Sequence, residues 1–247
     1  MSHVGEGTAG QVLQAVGSTG GAAYSTATYP KTAGTSGKVL ISDGTNIVSS
    51  TATYPSTAGT SGNVLTSDGT NFTSATPGIQ LIQVQDATNS ATISFTTGGI
   101  NTTYKKLLLS FKNVQGVTDA VTLRMQMSND GGSTWTVTGY TAGINHMQYN
   151  SVAVSNTSST TNFILTGTID NTTTTRLGAG EVNIYLTSAN DMYISGTCTF
   201  VNDTGAIPAI GIFGGRGGAT GANAFRLLMS SGNISTGRFY LYGYRDS

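Results

Sequence analysis

Charge is what this chain has least of. Only 9% of its 247 residues are Asp, Glu, Lys or Arg, against roughly 25% in an average soluble domain. The 11 basic and 11 acidic residues cancel to zero. Such a balance gives no long-range pull toward nucleic acid or an anionic membrane, so neither is expected as a partner. Solubility must come from hydroxyls and amides instead. Cysteine is nearly absent as well. Cys198 stands alone, which excludes an intramolecular disulfide. A chain that works outside a cell without disulfides needs another source of stability, and oligomerisation is the natural one. Cys198 continues the alternation Ile194, Gly196, Cys198, Phe200. It reads as a small buried residue on one face of a strand, because nothing local supplies the histidine a nucleophile would need. The two histidines, His3 and His146, are far apart, and no His/Cys/Asp cluster has metal-ligand spacing. Neither a metal nor another cofactor is expected. No charged start leads into an apolar run, and no stretch approaches the roughly 20 apolar residues of a membrane span. The expectation is a protein made in a cytoplasm, without a signal peptide and without membrane insertion.

What is abundant points the other way from helix. The chain has 34 Gly, 42 Thr and 26 Ser, but only two Glu and five Lys. Thr favours strands, and Gly, Ser and Asn punctuate turns. The composition predicts an all-β protein.

The N-terminal third repeats itself. Ser25–Ser49 and Ser50–Ser74 align without a gap and agree at 20 of 25 positions. A degraded third copy lies upstream, where Gly10-Gln11-Val12-Leu13 matches Gly37-Lys38-Val39-Leu40 and Gly62-Asn63-Val64-Leu65. Each unit places Asp-Gly (Asp43-Gly44, Asp68-Gly69) between short apolar runs. That spacing predicts a hairpin, with a type I′ turn at Asp-Gly. About five apolar side chains per unit are too few for a private core, so several chains are expected to wrap around one axis.

From Ile79 onward the texture changes. Val121, Leu123, Met125 and Met127 alternate with polar residues; so do Val182, Ile184 and Leu186. Phe239, Leu241 and Gly243 alternate with Tyr240, Tyr242 and Tyr244. About ten such runs predict a sandwich, jelly roll or barrel. The expected domains are residues 1–77, a repetitive shaft, and residues 78–247, a β-sandwich head large enough for its own core.

Candidate chemistry is thin. Ser128-Asn129-Asp130-Gly131-Gly132-Ser133-Thr134-Trp135 fits S-x-D-x-G-x-T-W, and so resembles the Asp-box of sialidase propellers and many other β proteins. There the box is a turn, which assigns Asp130, Gly131 and Gly132 a structural role. The arginines are scattered, Glu is limited to Glu6 and Glu181, and no carboxylate pair stands out, so an enzyme is not expected. The Gly-rich stretch 211–223 lacks the G-K-[ST] of a phosphate loop and reads as a flexible surface loop with Arg216 at its centre. Exposed aromatics are the remaining handle on a ligand, because sugar rings stack on them. Trp135, Tyr140, Tyr149 and Arg216 are the candidate receptor-binding residues.

Taken together, the TAGTSGNVLTSDGTNF units, the pair Ile93-Ser-Phe95 and Tyr104-Lys-Lys-Leu107, and the closing Gly237-Arg-Phe239-Tyr-Leu241-Tyr242-Gly243 resemble bacteriophage tail-fibre and related virion-appendage proteins. The resemblance implies a homotrimer located in the virion. Its N-terminal part would join other virion proteins. Its jelly-roll-like antiparallel head would touch a host-surface glycan or protein as a receptor-binding adhesin. A capsid decoration or head-fibre protein that stabilises the shell is the alternative expectation, and a surface-glycan-cleaving enzyme the third.

Overall fold

The computed structural model describes residues 5–16, 21–32, 34–97, 100, 103–147, 156–175, 177–186, 191–202, 204–218 and 221–245. It is all-β and antiparallel, with no helix among the described residues. The chain divides into two compact units, Met1–Pro77 and Gly78–Ser247.

The first unit is three hairpins. β1 (Gln11–Val16) pairs with β2 (Gly21–Thr28), β3 (Leu40–Ser42) with β4 (Ile47–Ser49), and β5 (Val64–Ser67) with β6 (Phe72–Ala75). β3–β4 and β5–β6 form where Asp-Gly falls, but the turn differs from the type I′ expectation. That turn needs positive φ at two adjacent central positions, and only Gly44 (95°) and Gly69 (92°) have it here. Aspartate closes the loop instead. Asp43 Oδ1 accepts the N–H groups of Thr45 (2.9 Å) and Asn46 (2.7 Å), and Asp68 Oδ1 accepts those of Thr70 (2.8 Å) and Asn71 (2.7 Å). These donors hold both carboxyls below their usual range, the Asn46 and Asn71 N–H groups most of all.

The same bonds recur from copy to copy. Asn46 Oδ1 accepts Thr28 N–H and O–H at 2.9 and 2.8 Å; Asn71 Oδ1 accepts the same groups of Thr53 at 2.8 and 2.7 Å. Tyr29 N–H donates to Gly10 O, and Tyr54 N–H to Gly37 O, both at 2.6 Å. So each Thr-Tyr strap is tied backward to the preceding hairpin and forward to the next. Gly10 and Gly37 sit at φ near +90°, and a Cβ on either would lie 2.6 Å from the carbonyl oxygen of the tyrosine whose N–H it accepts. In every copy the Val-Leu pair stays in solvent: Val12, Leu13, Val39, Leu40, Val64 and Leu65 are 41–59% exposed.

The second unit contains β7 (Ile79–Ser90), β8 (Ile93–Phe95), β9 (Tyr104–Gly116), β10 (Leu123–Ser128), β11 (Tyr140–Met147), β12 (Asn156–Ser159), β13 (Phe163–Ile164), β14 (Gly178–Leu186), β15 (Met192–Thr199), β16 (Ala209–Arg216), β17 (Ala224–Met229) and β18 (Ile234–Arg245). Eight strands form a large sheet in the order β12-β11-β16-β15-β14-β9-β18-β7; four form a small one in the order β13-β10-β17-β8. One continuous core takes side chains from both. Leu107, Leu109, Phe111, Val182, Ile184, Ile194, Cys198, Ile210, Ile212, Phe239 and Leu241 come from the large sheet. Leu123, Met125, Met127, Phe163, Phe225, Leu227 and Met229 come from the small one. Each such side chain contributes roughly 1.5–3 kcal/mol by leaving water. Among the described residues no buried side-chain nitrogen or oxygen lacks a partner, as a close-packed interior requires.

Strict alternation gives way within β10. Gln126 and Ser128 fall on the expected polar face of β10, yet both are buried. Arg226 and the turn after β10 cover them.

The Gly-rich stretch is not a flexible loop as far as residue 216. Residues 209–216 are β16, paired on both sides with β11 and β15. Glycine is there because neighbours press in: a Cβ on Gly214 would lie 2.9 Å from Thr141 O and 3.1 Å from the Phe163 ring.

Candidate functional site

Trp135 and Tyr140 are in the stretch after the Asp-box, and the structure separates their roles. Ser128 Oγ donates to Asp130 Oδ1 at 2.6 Å and accepts Gly132 N–H at 2.9 Å; Thr134 donates to Asp130 through N (2.9 Å) and Oγ1 (2.6 Å). Gly131 and Gly132 supply the positive φ, at 73° and 94°. The Ser128 and Thr134 donors hold the Asp130 carboxyl far below its usual range. All of this is turn chemistry. It delivers Trp135, half-buried, beneath the Arg226 guanidinium, whose carbon lies 5.0 Å from the ring centroid. Arg226 is itself tied down: Nε and Nη2 donate to Gln126 Oε1 at 2.9 and 2.6 Å. One face of the indole is therefore occupied from within the chain.

Tyr140 is a correction to the candidate set. Only 2% of it is exposed, and its ring meets Phe163 edge-on at 4.8 Å. Its hydroxyl accepts Met127 N–H and donates to Thr136 O, both at 3.0 Å. Burial pushes its ionisation above the usual phenol value. It is a core residue with a satisfied polar tip, out of reach of any receptor. Tyr149 and His3 lie outside the described residues. Cys198 is buried, and desolvation raises its thiol well above the ordinary value.

Arg216, the last residue of β16, leads to a different surface. Register fixes which side chains of the large sheet point away from the core. One outward row runs Tyr244, Lys106, Tyr185, Tyr193, Gly215, Thr141 across six strands; the next runs Tyr242, Leu108, Asn183, Ser195, Phe213, Gly143. Tyr185, Tyr193 and Phe213 are 38%, 49% and 45% exposed. Lys106 Nζ sits 4.3 Å from the Tyr244 ring centroid and 5.7 Å from that of Tyr185. Tyr240 and Tyr242 stack at 6.4 Å. The result is an aromatic sheet face in solvent.

Two hollows open on the β14–β16 half of that face. The first, of about 500 Å³, is lined by Thr141, Asp191, Tyr193, Phe213, Gly215 and Arg216, among others. Its floor is shaped by a glycine. A Cβ on Gly215 would lie 3.2 Å from the Tyr193 ring, so the bare backbone lets that ring lie down beside it. Asp191 accepts the Tyr193 hydroxyl and Gly218 N–H, both at 3.3 Å, and its charge raises the ionisation of Tyr193. Arg216 donates to Thr138 O and Gly218 O, both at 3.2 Å. Register puts Arg216 on the core-facing row beside Met192 and Tyr140, its guanidinium carbon 5.9 Å from the Tyr140 ring centroid, so it braces the sheet end through Gly218 while Asp191 faces the hollow.

The second hollow, of about 590 Å³, lies further along the same strands. Its outward lining is Ser110, Lys112, Ala179, Glu181, Thr197, Thr199, Ala209 and Gly211. Small and hydroxylated side chains make it concave. Phe213 follows Gly211 by two residues on β16 and lines only the first hollow.

Sequence reasoning reached Arg216 but not its companions. Tyr185, Tyr193 and Phe213 did carry a signal: each is a large aromatic at the outward position of an alternating strand, where a polar residue is the default. Among the described residues no group of three His, Cys, Asp or Glu is placed to hold a metal ion. The arrangement offers stacking planes and hydroxyls, with Asp191 at the first hollow and Lys112 and Glu181 at the second. No family model matches this chain, and neither a curated protein nor a solved structure matches it.

Proposed function

We propose that the chain is a virion structural protein, a tail fibre or receptor-binding adhesin that attaches a bacteriophage to its host through a surface glycan. The observation that carries this reading is the outward face of the large sheet. Tyr193 and Phe213 stand exposed around a glycine floor, with Asp191 held at the rim by hydrogen bonds from the Tyr193 hydroxyl and Gly218 N–H. Sugar rings have one C–H-rich face and a periphery of hydroxyls. Aromatic planes serve the first, and carboxylate, guanidinium and hydroxyl groups the second.

On this reading residues 78–247 are a jelly-roll-like head, and residues 1–77 are a shaft that joins other virion proteins. The chain works as a homotrimer. Support comes from the exposed Val-Leu pairs, which recur at the same place in each repeat and have no cover within their unit. Apolar side chains in register along a repetitive segment are what parallel copies can bury together.

The same exposed pairs also favour a second reading, a capsid decoration or head-fibre protein whose repeats seat on a shell. Immunogold electron microscopy of intact particles, with antibody against the head, separates the two. Gold at appendage tips is the expected result. Gold spread evenly over the capsid would replace adhesion with decoration.

A further inference from the structure

The two hollows share one sheet face and differ in contour, and together they describe a ligand more closely than either alone. Resting on the adhesion reading, we infer that the β14–β16 face binds an extended, uncharged polysaccharide, laid along the strands across both hollows. Tyr193 is the stacking platform at one end.

Three observations carry this. The first is length. Outward residues run along β15 from Tyr193 through Ser195 and Thr197 to Thr199, a track of roughly 20 Å at the rise of an antiparallel strand. A single ring fills one hollow; a chain is needed for both. The second is charge. The first hollow has the Asp191 carboxylate, the Arg216 guanidinium being turned to Tyr140 on the core side, and the second has Lys112 with Glu181. A polyanion entering either would meet a carboxylate, and a polycation entering the second would meet Lys112. Lys106, on the same outward row as Tyr193, is engaged by the rings of Tyr244 and Tyr185. An uncharged ligand meets no penalty and can take hydrogen bonds from both signs. The third is preorganisation. Tyr193 is fixed by Asp191 at its hydroxyl and by close contact along Gly215, so little side-chain freedom is lost on binding.

The test passes the full chain over immobilised dextran, mannan, galactan and rhamnan, with hyaluronan, alginate and polyphosphate as anionic comparators, at low and high sodium chloride. The expected result is retention on at least one neutral polymer, unchanged by salt, since no counterions are released. Tyr193→Ala should weaken it about tenfold, whereas Tyr193→Phe retains the ring and most of the binding. Size-graded fragments of the retained polymer should bind more tightly with length. Thr199→Trp, which obstructs the second hollow, should abolish that gain and leave short fragments unaffected.

Failure to retain any neutral polymer would overturn the inference. So would retention on anionic polymers alone that salt removes, or a Tyr193→Ala variant equal to wild type. Labelled wild-type and Tyr193→Ala chains applied to host cells keep this apart from the reading beneath it. Equal staining by both sinks the polysaccharide track and leaves adhesion standing. Staining by neither sinks adhesion as well.

Discussion

Tyr140 and Tyr193 are both tyrosines on strands of the large sheet, and their surroundings give them opposite roles. Tyr140 points inward, and its hydroxyl is used up by two backbone groups; Tyr193 points outward with its hydroxyl steered by Asp191. Asp130 shows how a residue can be polar, strongly perturbed and still structural. Its carboxyl is held low by Ser128 and Thr134. A carboxyl with a depressed folded value stabilises above the ordinary carboxylate range, and that stabilisation is lost as pH falls through the folded value. Thermal melts of the full chain should therefore lose stability on acidification below about pH 4. Asp130→Asn, which cannot titrate, should lower the melting temperature at neutral pH and flatten the acid limb of its own unit's transition. An acid limb identical to wild type would remove Asp130 from that account. Cys198 yields a simpler expectation. Buried and raised, its thiol should react with a thiol-specific reagent only as the protein unfolds, and prompt labelling of the native chain would contradict its placement.

At the scale of elements, glycine decides more than flexibility. Gly196 lies on β15 where a Cβ would run into the Glu181 carbonyl on β14. Gly196→Ala should force those strands apart and cost about 1–3 kcal/mol, as overpacking does, measured by denaturant unfolding. In the repeats, Asn46→Ala removes the acceptor for both Thr28 donors. A loss of about 1–2 kcal/mol is expected in the transition of residues 1–77. The strands of the head were legible because a two-sheet sandwich buries every second residue, and the alternation in β14 and β18 says so directly. The turn chemistry was less so: Asp-Gly marks a hairpin, but whether backbone or carboxylate closes it depends on the loop's path. The run was misread over 211–216 because glycine looks the same whether a segment is loose or pressed by neighbours. Only register, with Tyr193 and Thr141 flanking Gly215 and Ala142 beside Gly214, tells the two apart. The aromatic platform stayed hidden for the same reason. It is assembled from β15 and β16 side by side, with Asp191 just ahead of β15.

At the scale of the whole molecule, two facts need a partner: apolar pairs left in solvent in three successive repeats, and an aromatic sheet face left in solvent on the head. We propose copies of the same chain for the first and a host glycan for the second. Sedimentation equilibrium of the full chain at micromolar concentration should return three chains per particle, and a folded monomer would remove the interwound shaft. The central claim, adhesion through the large sheet's outward face, is tested most directly by staining. Fluorophore-labelled full chain is applied to the cells the parent particle infects, beside the Tyr193→Ala variant. Bright wild-type staining and about tenfold weaker staining by the variant is the predicted result. Cells left dark by the wild-type chain would contradict the account.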